Sequence, residues 1–180
     1  MSTCFVTVGS TQFDALIEAV LTDEVQEDLR SLGITQTTLQ TGAGTAIDSA
    51  VPEGLRGSDN GGCFVTKNGM KIDFFRYKKN IHEDMASAKL IIGHAGAGTC
   101  LEAIELGKPL IAVINDKLMD NHQSELADRL AELGCLTKST PSDLAQALKL
   151  PSLLSPKPLQ KAPTNAFANY LYDKLGYVTS

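Results

Sequence analysis

The chain has 180 residues, 43% hydrophobic and 21% charged, which is ample for one packed domain and thin for two. Its net charge of −5 excludes a general nucleic-acid binder, which needs a basic stripe to displace counterions from phosphates; backbone amides at a helix start can still hold a small anion. The N-terminus lacks the basic start and apolar run of a signal peptide, and the longest apolar run, residues 110–114, is far too short to span a bilayer, so the chain reads as soluble.

Residues 4–8 read as a short strand ending at Gly9, followed by the polar turn Ser10-Thr11-Gln12. Phe13, Leu16, Ile17, Val20 and Leu21 then recur at helical spacing, and Gly33 is placed to close that helix. Residues 37–41 form a second strand. Residues 42–62 are rich in Gly, Ser, Asp and Asn, and 57–62 read as a mobile surface loop. Asn68-Gly69 between 63–67 and 70–77 signals a hairpin, and a short helix covers 81–88.

The pattern then becomes regular: strand 89–93, helix 98–106, strand 109–114, helix 120–133, strand 135–137, helix 141–148. Such alternation with short connections predicts an α/β, Rossmann-like parallel sheet with helices on both faces. Ligands of such sheets bind beyond the carboxyl ends of the strands, which brings 9–12, 93–99 and 115–123 to one edge. Pro151, Pro156, Pro158 and Pro163 mark a linker or strap. Thr164 can cap a last helix with Phe167, Tyr170, Leu171 and Leu175 along one side, docked on its own domain or on another protein. Cys4, Cys63, Cys100 and Cys135 have neither metal-site nor redox spacing and read as four reduced thiols of a cytosolic protein.

Chemistry concentrates in Gly93-His94-Ala95-Gly96-Ala97-Gly98-Thr99-Cys100-Leu101-Glu102, which runs from a strand through a glycine-rich turn into a helix. Gly96 and Gly98 let the backbone approach a ligand and adopt positive φ. The helix start offers unpaired N–H groups and a partial positive charge, so a diphosphate fits. Leu101 stands where a dinucleotide fingerprint needs its third glycine, and residues 37–41 lack the expected acid. The one Gly-Lys pair, Gly107-Lys108, runs into Pro109, which excludes an NTPase phosphate loop.

Thr99 and Glu102 also form a capping-box pair, so Glu102 reads either as a cap or as a carboxylate for two ribose hydroxyls. His94 reads as a satisfied strand-end histidine or as an imidazole beside the diphosphate, where an anion favours protonation. Asn115-Asp116-Lys117-Leu118-Met119-Asp120-Asn121-His122-Gln123 follows the next strand. Asp120 can cap the helix after it, while the polar density of the run suits several sugar hydroxyls. Ser10 and Thr11 either cap the first helix or touch phosphate across the crevice.

The pattern His94-x-Gly96-x-Gly98-Thr99-x-x-Glu102-Ala103-x-x-x-Gly107-x-Pro109, with Asp120-Asn121-His122-Gln123 downstream, resembles the C-terminal nucleotide-binding domain of GT-B glycosyltransferases. Within that group it resembles the catalytic subunits of the two-protein UDP-N-acetylglucosamine transferase of the dolichol-linked oligosaccharide pathway. The bacterial enzyme that adds N-acetylglucosamine to lipid-linked muramyl-pentapeptide is a more distant relative. The likeness runs from the first strand to about residue 148 and is most specific over residues 115–127.

The resemblance implies the C-terminal half of a GT-B enzyme, with residues 1–150 as a nucleotide-sugar-binding domain and 151–180 as a Pro-rich strap and C-terminal helix. It implies transfer of N-acetylglucosamine from UDP-N-acetylglucosamine to dolichyl-diphospho-N-acetylglucosamine, β1,4-linked and inverting, without metal or cofactor. By matching position His94, Gly96, Ala97, Gly98 and Thr99 would face the diphosphate, with Gly9, Ser10 and Thr11 across the crevice. Glu102 would hold the ribose, and Asp120, His122 and Gln123, with Asn121 in the same run, the sugar. A complete GT-B enzyme has two domains and this chain holds one. A membrane-anchored partner subunit is therefore expected to supply the acceptor domain and the lipid-linked acceptor, recruiting the chain from the cytoplasm to the cytosolic face of the endoplasmic reticulum. The catalytic base is unassigned: His94 and His122 are candidates, and the partner can supply it instead. The alternative is a non-catalytic uridine-nucleotide-binding or scaffold module; a sugar-nucleotide epimerase needs both domains in one chain, and the length argues against it.

Overall fold

The computed structural model describes residues 2–53, 61–115 and 121–160, with backbone alone for 121–124. The expected helix after Thr164 and residues 57–60 of the expected loop lie outside the described residues. Seven strands form one sheet: β1 (Thr3–Thr7), β2 (Gln36–Gln40), β3 (Gly62–Val65), β4 (Lys71–Phe75), β5 (Leu90–His94), β6 (Leu110–Val113) and β7 (Thr137–Ser139). Their order is β3-β4-β2-β1-β5-β6-β7, and every neighbouring pair is parallel except the β3–β4 hairpin. The expected mostly parallel α/β sheet is therefore present, and Asn68-Gly69 makes its hairpin turn with Gly69 at φ 79°.

Seven helices are described: α1 (Asp14–Val20), α2 (Asp23–Ser31), α3 (Ala46–Ala50), α4 (His82–Ser87), α5 (Ala97–Glu105), α6 (Asn121–Glu132) and α7 (Leu144–Leu148). β1, β5 and β6 are buried along almost their whole length, as strands covered on both faces must be. Alternate residues of these strands supply two cores. Val6, Ile92 and Val113 pack with Leu16 and Ile17 of α1, Leu29 of α2 and Leu144 of α7. Phe5, Ile91 and Ala112 pack with Met85 of α4, Cys100 of α5 and Leu130 of α6.

Several boundaries differ from expectation for local reasons. The single helix expected after Phe13 is two, because Thr22 ends one and starts the next. Its hydroxyl donates to the Ala19 carbonyl and accepts from the Val25 amide, and Asp23 and Glu24 follow in the first turn of α2. Gly33, at φ 78°, closes the second of the two. Helix α3 lies inside the expected 42–62 loop, its start held by Asp14 Oδ1, which accepts from the Thr45 and Ala46 amides at 2.9 and 3.0 Å. The last strand begins at Thr137 because the Cys135 amide still bonds back to the Leu130 carbonyl after Gly134 at φ 75°. Helix α7 begins at Leu144, after a turn in which the Thr140 hydroxyl donates to Asp143. Beyond α7, Leu153 is buried in the first core and the Lys157 amide donates to the Gly134 carbonyl at 2.9 Å. All four cysteines are free, with Cys63 alone exposed.

Strand order reverses beside β1: the chain first builds outward through β2 and β4, then returns to β5 on the other flank. A crevice at the carboxyl ends of β1 and β5 is the consequence.

Candidate functional site

Two strand-to-helix turns meet in that crevice. From β1 the chain turns at Gly9, whose φ of 64° suits glycine. A Cβ there would lie 2.5 Å from His94 Cε1. From β5 it passes through His94 to Gly96, where a Cβ would lie 2.3 Å from His94 Nε2. Two glycine backbones thus grip the same edge of one imidazole. Gly93 has a related role, since a Cβ there would sit 3.0 Å from the Thr99 methyl.

Burial pushes the His94 imidazole below the usual histidine range, and the Thr7 backbone offsets this only in part. Its Nδ1 is buried and makes no hydrogen bond of regular geometry, although Thr7 is close enough to favour the charged form. The strand-end histidine therefore faces the Thr7 backbone without a regular bond to it. It rests neutral, and an anion placed against it would stabilise the protonated form.

Helix α5 starts at Ala97 with Gly96 as its N-cap, no side-chain cap and no acid in its first turn. The amides of Ala97, Gly98 and Thr99 therefore point outward with the positive end of the helix behind them. Gly98 is exposed, and a Cβ there would meet nothing within 4 Å. Two expectations are corrected here. Neither Gly96 nor Gly98 has positive φ: Gly96 is needed for the close approach to His94, and Gly98 leaves open space before the helix. Nor do Thr99 and Glu102 form a capping box, because the N-cap is three residues earlier than that motif requires. Glu102 instead pairs through Oε1 with His82 Nδ1 at 2.9 Å, both side chains partly exposed.

Ser10 and Thr11 do not cap α1, whose N-cap is Phe13 without a side-chain bond. Thr11 closes the turn on itself, its hydroxyl donating to the Val8 carbonyl at 2.8 Å, and Ser10 is exposed at the tip. The far side of the crevice is formed from β6, where Val113 pairs with His94 and the Ala95 amide donates to the Val113 carbonyl. Asp120 lies outside the described residues, and Asn121, His122 and Gln123 open α6 with only their backbone described. The topology brings that helix start to the edge shared by His94 and Gly9.

Sequence reading missed three side chains at this end of the sheet: Thr7, Gln40 and His82. The first two were legible only as uncharged polar residues in strands, and they are 0% and 6% exposed. His82 carried no signal, because its contact with Glu102 spans twenty positions.

The pattern for the Glycosyltransferase family 28 C-terminal domain matches residues 3–174. A Mus musculus protein described as UDP-N-acetylglucosamine transferase subunit ALG13 is 39% identical over 178 residues, covering 96% of this chain and 14% of that relative. The chain thus spans a small part of that relative's length. Among solved structures, an NMR solution structure of ALG13 superposes with a TM-score of 0.66 at 27% identity, covering 97% of this chain and 94% of that one. The crystal structure of Acinetobacter baumannii MurG gives a TM-score of 0.56 at 21% identity, covering 80% of this chain and 39% of that one, which is a likeness of fold.

Proposed function

Because this chain belongs to the glycosyltransferase family 28 C-terminal-domain family, we propose that it binds UDP-N-acetylglucosamine and supplies the donor half of a glycosyltransferase. The observation that carries this reading is the crevice itself: the start of a nine-residue helix with no side-chain cap, facing open space beside an imidazole gripped by two glycines. The diphosphate lies at the amides of Ala97, Gly98 and Thr99 with His94 against it, and Gly9, Ser10 and Thr11 form the opposing wall. Glu102 receives the ribose hydroxyls, oriented by His82, and Asp120, Asn121, His122 and Gln123 take the sugar. No metal or cofactor enters the scheme. Residues 1–150 are the binding unit, with 151–180 as strap and terminal helix.

The reaction is β1,4 transfer with inversion to dolichyl-diphospho-N-acetylglucosamine, the second step of lipid-linked oligosaccharide synthesis for N-glycosylation. Relatives named as subunits support a two-component enzyme. A membrane-anchored partner then supplies the acceptor site at the cytosolic face of the endoplasmic reticulum. No helix among the described residues is long and apolar enough to cross a membrane. A diphosphate that stabilises His94 in its protonated form, the proton coming from solvent, removes it as a base, so the acceptor hydroxyl is deprotonated by His122 or by the partner. The test is reconstitution of the chain with its membrane subunit, UDP-N-acetylglucosamine and the lipid acceptor. A β1,4-linked disaccharide on the lipid is expected; nucleotide binding without any transfer by the pair would leave a binding module instead.

A further inference from the structure

Thr7 and Gln40 are paired in register at the carboxyl ends of β1 and β2, on the side of β1 away from the glycine-rich turn. Both are buried, at 0% and 6% exposure, where an unsatisfied polar group is costly. Their hydrogen bonds close in one way. The Gly9 amide donates to Thr7 Oγ1 at 3.1 Å, the Thr7 hydroxyl donates to Gln40 Oε1, and Gln40 Nε2 donates to the Gly9 carbonyl at 3.0 Å. Turning the Gln40 amide over would set its oxygen against the Gly9 carbonyl and leave the Thr7 proton without this acceptor, so the ring fixes the amide orientation.

The ring acts on Gly9 alone. Both polar groups of that residue are held, at a φ of 64°, with no room for a Cβ between it and the Cε1–Nε2 edge of His94. His94 Nδ1 faces the Thr7 backbone without a hydrogen bond of regular geometry, so close contact with the two glycines helps to set the ring's orientation. One jaw of that contact, Gly96, belongs to the histidine's own turn. The other jaw reaches it from β1 and is set by Gln40 from β2. A pair of apolar side chains could fill the same buried space at little cost in stability, since removing both partners of a hydrogen bond together is nearly neutral. The polar ring is explained by what it positions. We propose that Thr7 and Gln40 are positioning residues of the nucleotide site, holding Gly9 so that His94 stays aimed at the ligand. This rests on the donor-binding reading above.

The test uses the full chain with UDP as the probe, recording affinity by calorimetry, melting temperature, and the His94 ring resonance by NMR. Gln40→Met and Thr7→Val, close in shape but without the bonds, are expected to fold, to shift the His94 resonance, and to weaken UDP at least about tenfold. Thr7→Ser, which keeps the hydroxyl, is expected to recover binding to within about threefold of the native chain. Folded Met and Val variants that bind UDP as tightly as the native chain would overturn the proposal. So would failure of both to fold, which would make the ring a determinant of folding only. A native chain that does not bind UDP would refute the donor-site reading instead, whatever the variants do.

Discussion

The two turns that face each other across the crevice are alike in topology and opposite in electrostatics. In the β1–α1 turn the polar groups are consumed locally: the Gly9 amide by Thr7, the Thr11 amide and hydroxyl by the Val8 carbonyl. Its helix begins only at Asp14, whose carboxylate already sits in the first turn and holds the start of α3. In the β5–α5 turn the helix follows Gly96 directly, with no side-chain cap and no acid in the first turn. One turn spends its polar groups on itself and the other leaves its helix start uncapped by any side chain. A glycine-rich turn is thus informative only when the amides it exposes are left unspent.

The contrast can be broken most severely at Gly96. Gly96→Ala would place a methyl group 2.3 Å from Nε2 of a ring already backed by Gly9, so the imidazole must leave its position. UDP affinity is expected to fall about a hundredfold, the equivalent of roughly 2.8 kcal/mol, by calorimetry. Binding within a factor of about three would mean that the ring does not matter.

Gly98→Ala sharpens the contrast, because there the new methyl meets no protein atom. Melting temperature should hold or rise, by about 0.5 kcal/mol in stability, while UDP binding weakens about tenfold. Unchanged binding would move the phosphates away from the helix start. Glu102→Ala addresses the ribose: UDP should weaken about tenfold and 2′-deoxy-UDP much less, since its reduced set of hydroxyls has less to lose. Stability should change by under about 1 kcal/mol, because the pair with His82 is partly exposed. An equal loss for both nucleotides would remove the ribose role.

The smallest effect is that of pH. The folded-state value of His94 lies below the ordinary 6.5, so protonation favours the unfolded chain. This contribution to stability is present above pH 6.5 and lost as pH falls through the depressed value. A bound diphosphate acts in the opposite sense, so UDP affinity should rise a few-fold between about pH 7.5 and about pH 6. NMR titration of the His94 ring, free and with UDP, checks both signs; a midpoint not raised by UDP would separate the histidine from the phosphates.

The sheet and the location of the crevice were legible because central parallel strands write themselves as apolar runs, and 90–94 and 110–113 are such runs. What sequence could not show was how polar atoms are shared. Thr22 divides a continuous apolar stripe by local bonding that periodicity does not register. Thr99 and Glu102 matched a capping spacing three residues out of phase with the real N-cap, because Gly96, not Thr99, precedes the first helical residue. Thr7 and Gln40 belong to strands whose pairing is set by topology, so no sequence window contains both.

The Lys157–Gly134 contact has a practical corollary. It returns the chain to the loop before β7, at the amino ends of the strands, opposite the carboxyl-end crevice. Residues 158–160 therefore continue from the back of the domain, so a label attached to exposed Pro158 or Gln160 would sit on that side and leave the crevice clear.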